Sequence, residues 1–252
     1  MVLQPARGRN AGRFFVLVVL LFGPPGCGKG TQAAYLADRF QIPTISTGEM
    51  FRAECKAGTP LGKMACEILA RGELVPDEIV NGIVANRIAR SDCGHGFLLD
   101  GYPRTVPQAA HFRRLLAERG LPAPVVVHLE VPAGSLVARL TARRQCPKCL
   151  RIYNLLSQPP GRDGYCDADG QRLITRDDDR EEVIRERLRA YQELTGPVLE
   201  WYGASVVRTV NGCAPADEVA RAIERFVREA SEKIPWGGRP RPRRAVLGPT
   251  VR

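Results

Sequence analysis

Short apolar segments alternate with longer amphipathic segments along most of the chain. The apolar segments predict β-strands at 15–22, 44–46, 96–100, 125–131 and 205–210. The amphipathic segments predict helices at 31–40, across a region from about 48 to 89, and at 107–119, 133–143, 181–202 and 216–232. Segments such as Phe97-Leu98-Leu99 and Val125-Val126-Val127 are continuously apolar, so we expect strands buried on both faces. The alternation predicts an α/β fold in which helices flank a parallel sheet.

A glycine-rich loop directly follows the first predicted strand. Its sequence is Gly23-Pro24-Pro25-Gly26-Cys27-Gly28-Lys29-Gly30-Thr31. Glycines let backbone N–H groups converge on phosphate oxygens, the next helix directs its positive end at the same anion, and Lys29 adds a full charge. The alternative is a turn that only connects strand to helix, but the order of strand, glycines, Lys and Thr favours a nucleotide-phosphate site. Ligands bind at the carboxyl ends of parallel strands, so Asp100 should share this crevice.

Composition and charge set limits on the other classes of function. With 252 residues, of which 44% are hydrophobic, the chain can bury one large core and an insertion. The nine-residue apolar run before the loop is too short to span a bilayer, and cleavage after it would remove the predicted first strand. We therefore expect a cytosolic protein with no membrane segment. Of the net charge of +10, three arginines lie in residues 1–13 and five in 235–252, with no acid in either segment. We expect two disordered, solvated tails rather than nucleic-acid-binding arms.

Residues from 145 to about 180 interrupt the alternation and contain two pairs of possible metal ligands. Cys146 and Cys149 form the first pair, and Cys166 and Asp169 form the second, with sixteen residues between the pairs. This spacing predicts a zinc-ribbon-like knuckle in which Asp169 supplies an oxygen ligand, and four protein ligands indicate a structural Zn²⁺. A flexible loop with incidental thiols is the alternative. A disulfide framework is weaker still, because the other five thiols are scattered and odd in number.

Taken in order, the motifs resemble the adenylate kinases of the long, zinc-lid type over about residues 15–233. The phosphate loop matches that family through Gly30-Thr31, where the hydroxyl residue stands one place later than in the strict phosphate-loop pattern. The segments 46–52, 73–78 and 100–108 resemble its AMP-site motifs. The arginines Arg139 and Arg143 match a pair that leads into the lid, and Arg176 and Arg187 match a pair that leads out. The order and spacing of these motifs carry the resemblance.

The resemblance implies a P-loop nucleotide-kinase domain at 14–234 that transfers a phosphoryl group between ATP and AMP to give two ADP. It implies a helical AMP-binding insertion at about 47–76 and a lid at about 145–180. The implied ATP contacts are Gly26, Cys27, Gly28, Lys29, Gly30, Thr31, Arg139, Arg143, Ile152, Tyr153 and Ala214. The implied AMP contacts are Thr47, Arg52, Glu73, Leu74, Val75, Gly101, Tyr102, Pro103, Arg104, Gln108, Arg176 and Arg187. Within the AMP site, Gln108 is implied to read the adenine ring.

The chemistry explains why arginine recurs among these residues. Phosphoryl transfer brings two polyanions together, so the protein contributes positioning and charge stabilisation, and the planar guanidinium group binds phosphate oxygens bidentately. Asp100 is suited to hold the Mg²⁺ of MgATP through water, because Mg²⁺ prefers oxygen ligands and keeps several waters. The expected catalytic residues are Lys29, Asp100, Arg104, Arg143, Arg176 and Arg187.

Some positions depart from the family pattern, and two other functions stay open. Glu49 stands where Asp is usual, Tyr102 where Phe is usual, and Asp169 where a fourth Cys is commoner; Tyr102 should add a hydroxyl beside the acceptor nucleotide. The three histidines show no ligand spacing and are expected to be incidental. We expect a monomer. The alternatives are a kinase for another nucleoside monophosphate, and a regulatory ATPase whose knuckle and tails bind nucleic acid.

Overall fold

A five-stranded parallel sheet lies at the centre of residues 16–233, the part of the chain described in this computed structural model. Numbered in chain order, its strands are β1 (Leu17–Phe22), β2 (Thr44–Ser46), β3 (Gly96–Asp100), β4 (Val125–Glu130) and β7 (Val207–Asn211). They lie side by side in the order β2-β3-β1-β4-β7, and every neighbouring pair is parallel. The predicted α/β fold with a parallel sheet is therefore confirmed. The expectations for the tails at 1–13 and 235–252 lie outside the described residues.

Helices cover both faces of this sheet. Their bounds are α1 (Lys29–Phe40), α2 (Thr47–Ala57), α3 (Pro60–Ala70), α4 (Asp77–Ile88), α5 (Val106–Glu118), α6 (Ala133–Thr141), α7 (Glu181–Ala190), α8 (Gly196–Tyr202) and α9 (Ala216–Lys233). Over residues 16–233, none of the helices combines the length and the apolar character needed to cross a membrane.

The first strand is buried on both faces, as its continuous apolar sequence predicts. Its side chains alternate between two hydrophobic clusters. Val18, Leu20 and Phe22 pack with apolar side chains of α4, α5 and α8. Leu17, Val19 and Leu21 pack with those of α1, α6 and α9. This double burial fixes the position of β1, and therefore the position of the glycine-rich loop that follows it.

The register of the strands brings their carboxyl ends to one edge of the sheet. Leu21 of β1 lies beside Asp100 of β3, and Ser46 of β2 lies on the other side of Asp100. On the other side of β1, the last residues of β4 and β7, Glu130 and Asn211, pair with each other at the same edge. The loops after these strands therefore open toward the same region.

The helical pair α2–α3 projects from the sheet between β2 and α4. Serine and threonine side chains cap both helices: Ser46 Oγ accepts a hydrogen bond from Glu49 N (3.4 Å), and Thr59 Oγ1 accepts one from Gly62 N (2.9 Å). A disulfide bond joins Cys55 of α2 to Cys66 of α3, with Cα atoms 5.7 Å apart. The scattered spacing of these thiols disfavours a disulfide framework, but this pair is bonded because the packing of α2 against α3 brings the two positions together.

Residues 143–174 form a small separate unit with little apolar core. The strands β5 (Arg143–Gln145) and β6 (Ile152–Asn154) pair in antiparallel fashion, and Gln145 also bridges to Ile174. The buried cluster of this unit consists of Cys146, Tyr153, Cys166 and Leu173. Four side chains provide little hydrophobic stabilisation, so polar contacts or a bound ion must contribute to its shape.

Two of the sequence-based helix predictions need correction. The helix predicted at 133–143 ends at Thr141, because the chain turns there into the β5–β6 hairpin, which the sequence did not reveal. The single helix predicted at 181–202 is divided by a π-helical turn at Tyr191–Thr195. Such turns are frequent at functional sites, and Tyr191 and Thr195 do line the cleft described below.

The tight packing of α2 against α3 leads to a testable prediction. A Cβ atom on Gly62 would overlap the backbone carbonyl of Glu54 on the facing helix. We expect Gly62→Ala to lower the free energy of unfolding by about 1–3 kcal/mol, as overpacking does. Gly82 in α4 is the matched control, because a Cβ there meets no atom within 4 Å; Gly82→Ala should stabilise the helix by up to about 1 kcal/mol. Urea unfolding measures both, and equal stability of the two variants would contradict the prediction.

Candidate active site

A cleft of about 760 Å³ opens at the carboxyl edge of the sheet. Its walls come from the glycine-rich loop, the end of β3, the start of α2, the small unit at 143–174 and the segment after β7. This is the position where ligands bind in open parallel sheets. Asp100 lines the cleft beside the loop, as the sequence predicts.

The glycine-rich loop presents backbone groups to this cleft. Gly28 has φ = 100°, a left-handed conformation that glycine adopts without strain, and α1 begins at the next residue. A Cβ at Gly28 would meet no protein atom within 4 Å, so this side of the loop faces open space. The Lys29 ammonium donates hydrogen bonds to the carbonyls of Gly23 (2.6 Å) and Pro24 (3.0 Å). Helix start, open backbone and ammonium group together form an anion-binding surface.

All six arginines that the sequence singles out line the same cleft. They are Arg52, Arg104, Arg139, Arg143, Arg176 and Arg187. They come from α2, the β3–α5 connection, α6, β5, the segment before α7 and α7 itself. Arginine side chains at a surface normally extend into solvent and away from one another, because their charges repel. The convergence of six of them therefore predicts a ligand that carries several negative charges.

Burial and mutual repulsion act on the charges of these arginines. Burial, together with the neighbouring cations Arg143 and Arg52, lowers the pKa of Arg176 to about 9. The pKa values of Arg104 and Arg187 are also lowered, mainly by burial. A pKa of about 9 still leaves Arg176 charged at neutral pH. A bound polyanion would relieve the repulsion, which makes phosphate binding favourable here.

Two adjacent carboxylates hold part of the arginine cluster together. Asp179 has a fully buried side chain and accepts hydrogen bonds from both Arg143 and Arg187. Asp178 Oδ2 lies 3.1 Å from Arg187 Nη1 and 3.9 Å from Arg52 Nη1. Burial by itself would raise the pKa of Asp178, but the guanidinium groups, with Arg187 foremost, lower it overall.

Residues expected to contact ATP gather at one end of the cleft. Every one of them lines it: Gly26, Cys27, Gly28, Lys29, Gly30, Thr31, Arg139, Arg143, Ile152, Tyr153 and Ala214. Arg139 donates to the Gly212 carbonyl (3.1 Å), which ties this wall to the segment after β7. Burial raises the pKa of the Cys27 thiol, so this group stays neutral at physiological pH.

Residues expected to contact AMP divide into two groups. The residues that line the cleft are Arg52, Leu74, Gly101, Pro103, Arg104, Arg176 and Arg187. Those that do not line it are Thr47, Glu73, Val75, Tyr102 and Gln108. Thr47 donates to the Gly101 carbonyl (2.9 Å), and Glu73 pairs at the surface with Arg71. The buried Tyr102 hydroxyl donates to Asn81 Oδ1 (2.7 Å), so it does not lie beside the cleft as the sequence predicted. Its partner on α4 draws the hydroxyl into the protein.

Gln108 is buried among protein groups directly beside a residue of the cleft wall. Its Oε1 accepts from the backbone N of Arg104 (2.7 Å), and its Nε2 donates to Asp77 Oδ1 (2.7 Å). Arg104 in turn donates from Nε to the Gly101 carbonyl (2.8 Å), and its own carbonyl accepts from Thr195 (3.0 Å). These bonds hold the Arg104 backbone and side chain in place.

The four predicted metal ligands come together in the small unit at 143–174. One ligand atom from each of Cys146, Cys149, Cys166 and Asp169 lies within 4.8 Å of all the others. The sulfurs of Cys149 and Cys166 are 3.5 Å apart, and sulfur ligands of a tetrahedral zinc ion would be about 3.7 Å apart. The backbone N–H groups of Lys148 and Cys149 also point at the Cys146 sulfur (both 3.4 Å). The donor set and spacing fit a metal ion.

Tertiary structure adds residues that the sequence motifs did not single out. Gln145 accepts a hydrogen bond from Arg176 (2.6 Å), and Glu49 lies 3.8 Å from the same guanidinium group. Asp178 and Asp179 stand beside the arginine motif in sequence, which was the available signal for their role. Tyr191 carried no signal, because its position in the cleft depends on the π turn.

The three histidines stay outside the cleft lining. His128 lies nearest to the site, since its Nε2 is 3.3 Å from the hydroxyl of Tyr191. Burial lowers the pKa of His128. His128 is half-buried, and its contact with Tyr191 leaves it beside the cleft rather than in the cleft lining.

Comparison with known proteins gives a consistent family. The profile of the family described as adenylate kinase matches residues 21–207. A protein named adenylate kinase from Oceanobacillus iheyensis is 47% identical over 207 residues, which cover 82% of this chain and 96% of the relative. Adenylate kinases from Trichlorobacter lovleyi (47% over 206 residues, 81% and 96% covered) and Pseudothermotoga lettingae (44% over 212 residues, 84% and 98% covered) are similarly close.

The lowered pKa of Asp178 predicts a pH-dependent contribution to stability. A carboxylate with a folded-state pKa below its unfolded value of about 3.9 stabilises the fold fully above that value, and the contribution is lost as pH falls through the folded pKa. We expect Asp178→Asn to lower the free energy of unfolding at pH 7 by about 1–3 kcal/mol, and this deficit should shrink below about pH 4. Urea unfolding from pH 7 to pH 3 measures it. Asp177→Asn, at an exposed neighbouring position, is the control; a deficit independent of pH would refute the assignment.

Proposed function

The chain belongs to the adenylate kinase family, and we propose which of its residues carry out the family's reaction. The enzyme catalyses the reversible transfer of a phosphoryl group from ATP to AMP, which yields two ADP. The observation that supports our assignment is the convergence of six arginines and Lys29 on one cleft at the carboxyl edge of the sheet. The relatives are named for the adenylate reaction, which favours it over the two alternative functions.

We propose that the glycine-rich loop and Lys29 bind the phosphates of ATP. Phosphoryl transfer leaves little covalent work for the protein, so catalysis depends on positioning and on charge stabilisation of the transferring group. Arg139 and Arg143 reach this end of the cleft from α6 and β5, and Ile152, Tyr153 and Ala214 would enclose the adenosine. The family uses Mg²⁺ with ATP; the ion neutralises charge on the β- and γ-phosphates, and Asp100 would hold it through water.

We propose that AMP binds on the side of the cleft formed by α2, Leu74 and the β3–α5 connection. Arg52 and Arg104 would bind its phosphate, and Arg176 and Arg187 would bridge the two nucleotides at the transferring group. The helical insertion at about 47–76 provides the wall over this side. The other residues expected at the AMP site would contribute from outside the cleft lining: Thr47, Glu73, Val75, Tyr102 and Gln108. Of these, Gln108 would read the adenine ring.

We propose that the segment at about 145–180 acts as a lid over ATP. It lies between Arg143 and Arg187, so its closure would bring Arg176 to the phosphates and exclude water that would otherwise hydrolyse the nucleotide. Lid closure is a property of the family that we carry over by resemblance. We propose also that the enzyme works as a monomer in the cytosol.

We propose that Cys146, Cys149, Cys166 and Asp169 hold a structural zinc ion. Three thiolates and one carboxylate suit Zn²⁺, and four protein ligands leave no open position for catalysis. The four-residue apolar cluster of the lid is too small to hold its shape alone. A bound ion would supply the missing stabilisation.

The proposed phosphate contacts predict the effect of two substitutions. Lys29→Met and Arg104→Ala should each lower kcat by about 100-fold or more, because each removes a charge-assisted contact to a reacting phosphate. A coupled assay with ATP and AMP measures the rate, and circular dichroism checks the fold. Lys63→Met and Arg114→Ala, at exposed positions on α3 and α5, are the controls. Near-normal turnover of either active-site variant would rule out the assigned site.

The proposed zinc site predicts a stability effect that is separate from catalysis. Purified protein prepared without chelator should carry about one zinc per chain. Cys149→Ser should lose the metal and lower the Tm while keeping appreciable activity at low temperature, because the ion only stiffens the lid. Cys213→Ser, at another exposed thiol, should keep the zinc. Elemental analysis that finds no zinc would exclude the metal, and complete inactivation of a folded Cys149→Ser enzyme would exclude a purely structural role.

A further inference from the structure

We propose that Asp77 determines the base specificity of the AMP site by fixing the orientation of the Gln108 side-chain amide. The inference rests on the proposed function, since it takes Gln108 as the group that reads the adenine ring. Asp77 is a positioning residue in this scheme, because it acts on the base through Gln108.

The Asp77 carboxylate is bound to the start of α5 through both of its oxygens. Oδ1 accepts from Gln108 Nε2 (2.7 Å), and Oδ2 accepts from Thr105 Oγ1 (2.7 Å). Thr105 is also the N-cap residue of α5, where its Oγ1 accepts from the backbone N of Gln108 (3.2 Å). The first residue of α4 is therefore fixed to the first turn of α5, directly at Gln108.

The other end of the Gln108 amide is fixed by the backbone. Oε1 accepts from the backbone N of Arg104 (2.7 Å). A rotation of the amide by 180° would direct its NH₂ group at the Arg104 N–H and its oxygen at the Asp77 carboxylate. Both contacts would change from hydrogen bonds to repulsion, and the side chain is only 1% exposed, so water cannot replace them. The carboxylate and the backbone N–H thus allow one orientation.

The fixed orientation leaves a defined pair of groups for a ligand. An amide oxygen accepts two hydrogen bonds and an amide NH₂ group donates two, so one acceptor site and one donor hydrogen remain. Adenine offers the complementary pair on its Watson–Crick edge, a donor at N6 and an acceptor at N1. A 6-oxopurine offers the reverse, an acceptor at O6 and a donor at N1. The locked amide therefore favours AMP over inosine or guanosine monophosphate.

The position of Gln108 relative to the cleft is consistent with this role. Arg104, whose backbone it binds, lines the cleft, whereas Gln108 itself does not. A base therefore reaches the amide only after the side chains over it shift. The orientation must be held during that shift, and a carboxylate with two hydrogen bonds to α5 is suited to hold it.

The experiment compares AMP with inosine monophosphate as phosphoryl acceptors at saturating ATP. Asp77→Asn keeps the size of the side chain, but its amide can turn to donate to Gln108 Oε1, so the rotated orientation becomes accessible. We expect the ratio of kcat/KM for AMP to that for inosine monophosphate to fall about tenfold, the value of replacing a charged by a neutral hydrogen-bond partner. Glu78→Gln, at an exposed carboxylate next in sequence, should leave the ratio unchanged. Should Asp77→Asn not fold, Asp77→Ser makes the same test.

The outcomes separate this inference from the proposed function. An unchanged ratio in Asp77→Asn, or equal losses for both acceptors, would overturn the inference, because a purely structural role affects both bases alike. Gln108→Ala tests the premise: it should raise the KM for AMP far more than the KM for ATP. Equal effects of Gln108→Ala on both nucleotides would refute the AMP-site assignment itself. A selective effect of Gln108→Ala, together with an unchanged ratio in Asp77→Asn, would refute only the role of Asp77.

Discussion

The concentration of positive charge around one cleft is the constraint on which the rest of this structure depends. Six arginines and Lys29 converge there, and burial together with mutual repulsion lowers the pKa values of Arg104, Arg176 and Arg187. The fold offsets this repulsion with a few carboxylates, above all the fully buried Asp179 between Arg143 and Arg187. A bound polyphosphate would complete the neutralisation. The charges whose mutual repulsion opposes folding would therefore provide the affinity for the two proposed nucleotides.

The sheet makes this arrangement possible because it holds the phosphate loop rigidly. Both faces of β1 are buried, so the loop after it cannot shift without disturbing two hydrophobic clusters. The parallel register then places Asp100 and the ends of β2, β4 and β7 at the same edge. The two units outside the sheet differ in their packing. Apolar side chains such as Phe51 and Ala65 join the α2–α3 pair to a hydrophobic cluster of the sheet, whereas the unit at 143–174 has only a four-residue cluster of its own.

On two sides of the cleft, polar networks connect structural groups to the site. Tyr153 lines the cleft while its hydroxyl donates to the sulfur of Cys166 (3.4 Å), so the cysteine cluster and the proposed ATP side share one side chain. On the proposed AMP side, Asp77 binds Thr105 and Gln108, and Gln108 binds the backbone N–H of Arg104. Buried networks of this kind favour one arrangement strongly, because any unpaired member is costly.

By itself, the sequence determined the α/β fold, the phosphate loop, the six arginines of the cleft and the cluster of Cys146, Cys149, Cys166 and Asp169. These features depend on local order: apolar runs predict strands, and glycines, cysteines and arginines at fixed spacing predict sites. Tertiary structure alone decided which groups meet across the fold. Four features depend on packing between distant elements. They are the Cys55–Cys66 disulfide bond, the inward direction of the Tyr102 hydroxyl, the π turn that brings Tyr191 to the cleft, and the hydrogen bond between Asp77 and Gln108. No local pattern encodes them, because each is set by the relative position of two elements that only the folded chain defines.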